Sequence, residues 1–150
     1  MERTLVLIKP DGIQRGLVGQ IISRIESRGL RIVAMKMLQA DRALAMRHYD
    51  AHLGKEFFRG LVDFMISSPI IAMVLEGPDA ITLTRATMGA TDPKEAVPGT
   101  IRGDLGVDIG RNLIHGSDGL ESATKEIETF FSADEILNYQ RDVERWIIEL

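Results

Sequence analysis

Apolar residues along this chain repeat with two different periods, and the change of period separates strands from helices. Short runs that are apolar on both faces are typical of buried strands, and three of them occupy residues 4–8, 30–38 and 70–75. Apolar residues recur every three to four positions in residues 17–28, 57–66 and 120–131, which predicts amphipathic helices. A more polar helix is expected over 41–52 and a short one over 79–88, with a last strand leading to His115.

Residues at the ends of these elements indicate where several of them begin or stop. Gly29 follows the first helical pattern at the position where a helix commonly ends in a left-handed residue. Asp41 is a suitable N-cap, and Asp118 with Glu121 three residues later has the spacing of a capping box. Residues 9–12, Lys-Pro-Asp-Gly, are expected to form a turn after the first strand.

The order of these elements predicts an α/β fold of the α+β sandwich type over a single domain, residues 1–150. The nearest simple template is a ferredoxin-like βαββαβ core with an antiparallel four-stranded sheet, extended by a helix pair and a long loop over 91–110. A doubly wound parallel sheet is the alternative, but the helix pair between the second and third strands fits it less well. Apolar residues in the tail after Ser132 are expected to dock on the body or on another subunit.

The composition of the chain excludes several structural and functional classes of protein. An apolar fraction of 45% excludes a disordered chain, and a formal net charge of −4 argues against general nucleic-acid binding. We find neither a secretory signal pattern nor an apolar run long enough to span a bilayer, so the cytoplasm is the expected compartment. The long loop carries neither a P-loop nor a Gly-x-Gly-x-x-Gly pattern.

His115 is the strongest candidate for chemistry. It precedes a predicted helix N-terminus, where backbone N–H groups and the helix dipole favour an anion, so phosphate chemistry is indicated. Lys9 ends the first strand, where its side chain can reach a site. His48 and His52 are four residues apart, but they lack the Glu of His-Glu-x-x-His and an obvious third ligand, so we predict no protein metal site there.

Four motifs agree in order and spacing with one known family. They are Lys9-Pro10-Asp11-Gly12, then Phe57-Phe58 after Tyr49, then residues 98–104 (Pro-Gly-Thr-Ile-Arg-Gly-Asp), and Asn112-x-x-His115-Gly-Ser-Asp118. With these motifs the chain resembles nucleoside diphosphate kinases over essentially its whole length. The resemblance implies a ferredoxin-like core and transfer of the γ-phosphate of ATP, or of another nucleoside triphosphate, to a nucleoside diphosphate.

The resemblance also implies a role for each matching residue. His115 would be the nucleophile, with Glu126 orienting its ring and Ser117 supporting that arrangement. Asn112 would bind the ribose together with Lys9, and Phe57 would stack on the base opposite Ile109. The phosphates would be surrounded by Lys9, Tyr49, Arg85, Thr91 and Arg102.

These roles are chemically consistent. Phosphoryl transfer has a loose, highly charged transition state, so positioned cations contribute most of the catalysis. A covalent histidine intermediate implies ping-pong kinetics, and stacking on Phe57 uses a π-face that every base has, so broad base specificity is expected. Mg²⁺ would arrive with the nucleotide and would reach the protein at most through water on Asp118.

The resemblance further implies a homo-oligomer, with a hexamer favoured and a tetramer as the alternative, contacting through the 91–110 loop and the apolar tail. The sequence departs from the family pattern at Gly119, where Ser is frequent, and at Glu56, where Pro is frequent. Two rival functions are a nucleotide-binding module without catalysis and a nonspecific nucleic-acid binder using Arg85, Arg102 and Arg111. The presence of both His115 and Glu126 disfavours the first, and the acidic net charge disfavours the second.

Overall fold

The computed structural model describes residues 1–149 and builds the chain around one four-stranded sheet. Three single-turn 3₁₀ segments, Asp50–His52, Ala133–Glu135 and Glu144–Trp146, supplement the main elements. In chain order these elements are β1 (Glu2–Ile8), α1 (Pro10–Gln14), α2 (Val18–Ser27), β2 (Arg31–Leu38), α3 (Arg42–His48), α4 (Phe58–Met65), β3 (Ile70–Gly77), α5 (Ala80–Met88), α6 (Ile101–Leu105), β4 (Ile114–Gly116) and α7 (Leu120–Phe130).

The sheet has the strand order β2-β3-β1-β4, and every neighbouring pair is antiparallel. Leu5 faces Val74 across the β1–β3 ladder, and Leu7 faces His115 across the β1–β4 ladder. This topology confirms the predicted ferredoxin-like α+β core and excludes the parallel alternative. It also places His115 beside the central strand β1.

Both faces of the sheet are covered, which explains why β1 reads as a continuous apolar run. Leu5 and Leu7 belong to a core with side chains of α3, α4 and α7, whereas Val6 and Ile8 belong to a second core with α2 and α5. Successive strand residues point to opposite faces, so a strand between two helical layers must be apolar at every position. All four of these side chains are fully buried.

The structure confirms some of the predicted boundaries and corrects others. Asp41 caps α3 by accepting a 2.8 Å hydrogen bond from the Leu44 N–H, and Gly29 follows α2 with a φ of +99°. Residues 9–12 were expected to be a turn, but Pro10 instead begins α1. Proline suits the first helical position because its fixed φ matches the helix and its missing N–H would be unsatisfied there anyway.

The predicted capping box of Asp118 and Glu121 is wrong, because α7 begins one residue later than that spacing requires. Gly119 is the N-cap, and its N–H donates to Ser122 Oγ at 3.0 Å. Ser122 Oγ in turn donates to Asp118 at 2.6 Å. Leu120, expected on the buried face of this helix, is 64% exposed because it occupies the first turn beyond the edge of the core.

The 91–110 loop is ordered by polar contacts and contains the short helix α6. Thr100 caps α6 by accepting from the Gly103 N–H at 3.0 Å. Asp104 accepts from Arg24 at 2.6 Å and from the Gly99 N–H at 2.9 Å, which ties the loop to α2. These contacts give a fixed shape to a segment whose composition predicted only irregular structure.

The tail docks on the body along β2. The Leu137 N–H donates to the Val33 carbonyl at 2.9 Å, beside an irregularity in the β2–β3 pairing, and the Tyr139 hydroxyl donates to the Ile32 carbonyl at 2.5 Å. Trp146 remains 78% exposed. Among residues 1–149, no helix has both the length and the apolar character needed to cross a bilayer.

Candidate active site

His115 lies in the middle of β4, and α7 supplies the carboxylate that orients its ring. His115 Nε2 and Glu126 Oε1 are 2.8 Å apart. A carboxylate accepts hydrogen bonds, so this contact places the ring proton on Nε2 and leaves the lone pair on Nδ1. The arrangement produces an imidazole with one nitrogen held and the other nitrogen available for nucleophilic attack.

Ser117 links the same carboxylate to the central strand. Its fully buried hydroxyl donates to Glu126 Oε1 at 2.8 Å and accepts from the Leu5 N–H at 3.1 Å. The structure therefore places Ser117 in direct hydrogen-bond contact with Glu126. Because β1 is paired with a strand on each side, this bond restricts the position of the Glu126 carboxylate.

Lys9, Asn112 and Thr91 form a second group next to β4. Lys9 Nζ donates to Asn112 Oδ1 at 2.8 Å, and Asn112 Nδ2 donates to the Thr91 carbonyl at 3.0 Å. Burial, followed by the nearby positive charge of Arg102, lowers the pKa of Lys9 to about 8, and Asp11 opposes that shift. The Lys9 amine therefore stays mostly protonated at neutral pH and loses its charge as the pH rises through about 8.

Arg85 and Arg102 bring two further cations to β4, in different settings. Arg102 is 5% exposed and donates to the carbonyls of Gly89, Asn112 and Ile114. Burial, then the charge of Arg85, lowers the pKa of Arg102 to about 10. Arg85 is exposed and donates to the Gly116 carbonyl at 3.3 Å, so its guanidinium adjoins the strand that carries His115.

His48 is a site residue that the sequence interpretation missed. Its ring centroid lies 4.8 Å from that of His115 and 4.6 Å from that of Tyr49, in edge-on contacts. Burial, then the charge of His115, lowers the pKa of His48 well below its usual value, so this ring is neutral. A signal was available, because His48 lies three residues after the fully buried Ala45 on α3 and so shares its inward face.

Tyr49 lies beside this cluster with its side chain largely buried. Burial, then the negative charge of Glu126, raises the pKa of Tyr49 to about 12. The phenol therefore stays protonated and can donate a hydrogen bond at neutral pH. His48, not His52, provides the imidazole that approaches His115, since His52 contacts Lys55 and the Phe57 ring.

The described residues contain one group with possible metal-ligating geometry. His48, His115 and Glu126 each place one potential ligand atom within 4.8 Å of the others. The Nε2 of His115 and the carboxylate of Glu126 are already joined by their own hydrogen bond. At the edge of the site Asp118 carries a carboxylate whose pKa is lowered, first by the Ser122 hydroxyl and also by Arg85 and His115.

The two residues expected to hold the base are exposed. Phe57 is 53% exposed and Ile109 is 55% exposed. Phe58, the next residue along α4, packs against the core, as the 100° turn between neighbours requires. A cleft of about 1020 Å³ is lined by Phe57, Glu56, Gly110 and Arg111, among others.

The site combines an imidazole oriented by a carboxylate, a buried amine and two guanidinium groups on a ferredoxin-like sheet. This combination defines a phosphotransferase. The family model for nucleoside diphosphate kinase matches residues 2–136. A nucleoside diphosphate kinase from Desulforamulus reducens is 57% identical to the chain, over 99% of the chain and 100% of its own length. One from Archaeoglobus fulgidus is 56% identical, over 99% of the chain and 99% of its own length.

Solved structures agree with these sequence relatives. A halophilic nucleoside diphosphate kinase from Halobacterium salinarum in complex with CDP is 51% identical, with a TM-score of 0.96 and 99% of each chain covered. A family member from Babesia bovis is 40% identical, also with a TM-score of 0.96, and covers 99% of this chain and 100% of its own. The chain belongs to the nucleoside diphosphate kinase family, whose reaction is the transfer of a phosphoryl group from a nucleoside triphosphate to a nucleoside diphosphate.

Proposed function

We propose that this chain transfers phosphate through a covalent intermediate on His115 Nδ1. The observation that carries the proposal is the 2.8 Å contact between His115 Nε2 and Glu126, which leaves the Nδ1 lone pair available. In the first half-reaction Nδ1 attacks the γ-phosphorus, and the bond to the β,γ-bridging oxygen breaks, so that the nucleoside diphosphate leaves. In the second, a terminal β-phosphate oxygen of another diphosphate attacks the phosphorus, and the P–N bond breaks.

The surrounding cations and donors are proposed to hold the phosphates during both steps. Lys9, Arg85 and Arg102 supply fixed positive charge where the transition state is most anionic, with Thr91 and the protonated Tyr49 as neutral donors. His48 supports this set by presenting a neutral ring to His115, which adds no competing positive charge.

Asn112 and Lys9 are proposed to bind the ribose, and Phe57 to stack on the base opposite Ile109. The 2.8 Å bond between Lys9 and Asn112 supports a shared subsite, and the exposed face of Phe57 supports stacking. Stacking recognises the π-face common to all bases, so the proposal includes broad base specificity.

Mg²⁺ is proposed to be held mainly by the nucleotide phosphates. Asp118 fits the role of a single protein carboxylate that acts through a bound water, because its lowered pKa keeps it ionised at the edge of the site. When bound, the ion neutralises charge on the phosphate oxygens. Asp118 would orient that hydrated ion, while the protein's own cations approach the phosphates from the side of β4.

We also propose a cytoplasmic homo-oligomer, with a hexamer favoured over a tetramer. Met35 and Met37 are 55% and 62% exposed on the edge strand β2, and Trp146 is exposed on the tail, which supports subunit contacts there. Sedimentation velocity distinguishes the two assemblies by mass.

The direct test of the intermediate is incubation with γ-labelled ATP and Mg²⁺ without an acceptor, followed by intact mass analysis. The native protein should gain one acid-labile phosphoryl group and lose it when GDP is added, with GTP appearing. His115→Ala should gain none, while the matched control His52→Ala should be labelled normally. Label retained by His115→Ala would refute the assignment, and ATP binding without any labelling would favour the noncatalytic binding module.

A further inference from the structure

A strained backbone turn separates the proposed ribose-binding residue from the proposed nucleophile. Leu113 has a φ of +75°, and the Ile114 N–H donates to the Asn112 carbonyl at 2.9 Å. This is the geometry of a γ-turn with a positive central φ, which is rare and costly for a residue with a side chain. Asn112 enters the turn and His115 follows it, so the turn sets the direction of one side chain relative to the other.

Contacts from distant parts of the chain hold this turn in place. The Lys9 N–H donates to the Leu113 carbonyl at 2.9 Å, and Arg102 donates to the carbonyls of Asn112 and Ile114. The remaining polar group of the central residue, the Leu113 N–H, donates to Asp11 Oδ2 at 2.9 Å. Both backbone polar groups of Leu113, and the carbonyls of Asn112 and Ile114 on either side of it, therefore have hydrogen-bond partners.

Asp11 makes this contact from a buried position. It is 8% exposed, and its second carboxylate oxygen has no hydrogen-bond partner among the described residues. A buried carboxylate with one oxygen unsatisfied is unfavourable for folding alone. Gly12 allows α1 to pack closely here, since a Cβ at this position would lie 2.6 Å from Ile8 Cγ2 and 3.3 Å from the Leu113 carbonyl oxygen.

We propose that Asp11 is a positioning residue for phosphoryl transfer, whose carboxylate anchors the Leu113 N–H and thereby sets the strained turn that presents Asn112 and His115. The inference rests on the proposed phosphohistidine at His115. The negative charge of Asp11 also acts on Lys9 and Arg102, but the proposed positioning role is exerted through the turn.

The Asp11 variants are expected to phosphorylate His115 at rates that follow a specific order. Asp11→Ala removes the acceptor, so the turn can relax, and the resulting shift of about 1 Å at His115 should lower its phosphorylation rate about 100-fold. Asp11→Asn keeps an oxygen at the Leu113 N–H and should recover most of that loss. Asp11→Glu keeps the charge but displaces the acceptor by one methylene, so it should be slower than Asp11→Asn.

The decisive measurement is the single-turnover rate of phosphorylation by saturating labelled ATP, expressed per folded molecule, using rapid quench. Glu76→Ala is the matched structural control, because Glu76 is also a buried carboxylate but binds Arg3 and Arg31 at the far end of β3. Glu76→Ala should lose thermal stability without a slower phosphorylation step.

Each outcome supports or overturns the positioning role of Asp11. The rate order native, then Asp11→Asn, then Asp11→Glu supports the proposal even if Asp11→Ala fails to fold. Asp11→Glu faster than Asp11→Asn would overturn it in favour of a purely electrostatic role, and native rates in all folded variants would overturn it in favour of a purely structural one. Absence of phosphohistidine in the native protein would instead refute the proposed function.

Discussion

Replacing Ser117 with alanine tests whether the link between Glu126 and the central strand supports the site. The change removes one buried hydroxyl that makes two hydrogen bonds, one to the Glu126 carboxylate and one from the Leu5 N–H. It leaves the 2.8 Å contact between His115 and Glu126 in place. Ser117→Ala therefore weakens the support of the His115–Glu126 pair without deleting either member.

The expected loss of stability follows from those two bonds. A hydrogen bond to a charged group contributes about 1.5–3 kcal/mol, and leaving a buried N–H unpaired costs about 1–3 kcal/mol. Part of the second cost is avoided because local relaxation can admit a new partner, so we expect the free energy of unfolding to fall by about 3 kcal/mol. In a chain of this size each kcal/mol shifts Tm by about 2–4 °C, which gives a decrease of about 6–12 °C.

Thermal unfolding followed by circular dichroism at fixed protein concentration measures this shift, since subunit association makes Tm depend on concentration. Thr124→Ala is the control, because Thr124 lies on the same helix with an exposed hydroxyl bonded to the Leu120 carbonyl. The control should change stability by no more than about 0.5 kcal/mol. The phosphorylation rate per folded molecule should be lower in Ser117→Ala than in the control. Equal Tm values for the two variants would show that the Ser117 hydroxyl does not stabilise this part of the fold.

Three further predictions concern the nucleotide. Burial, then the charge of Arg102, lowers the pKa of Lys9 to about 8, so the cationic form of Lys9 is lost as pH rises through that value. The value of kcat/KM should therefore fall near this pH. A pH profile of kcat/KM that stays flat to pH ~10 would contradict this. Phe57→Ala should weaken nucleotide binding about 10-fold or more through lost stacking, measured by calorimetry with ADP and GDP, and an unchanged Kd would exclude the stacking role. Arg102→Ala should lower kcat about 1000-fold in a coupled assay, and a loss below about threefold would remove Arg102 from the phosphate site.

Local sequence determined much of the secondary structure and was enough to predict most residues of the proposed site. The strands at 4–8 and 70–75 and the cap at Asp41 were predicted correctly, because apolar period and capping chemistry depend on residues close together in the chain. The His115 motif and the Phe57-Phe58 pair carried the family resemblance for the same reason. Each is a short arrangement of residue types that can be read without knowing the fold.

Only the tertiary structure decided which residues meet across the chain. It brought His48 to the ring of His115, replaced the expected capping box by one made with Ser122, and docked the tail along β2. The clearest case is Leu113, whose positive φ no local preference favours. The Leu113 N–H donates to Asp11, 102 residues earlier, and the Leu113 carbonyl accepts from the Lys9 N–H. Bonds across such separations exist only once the chain has folded.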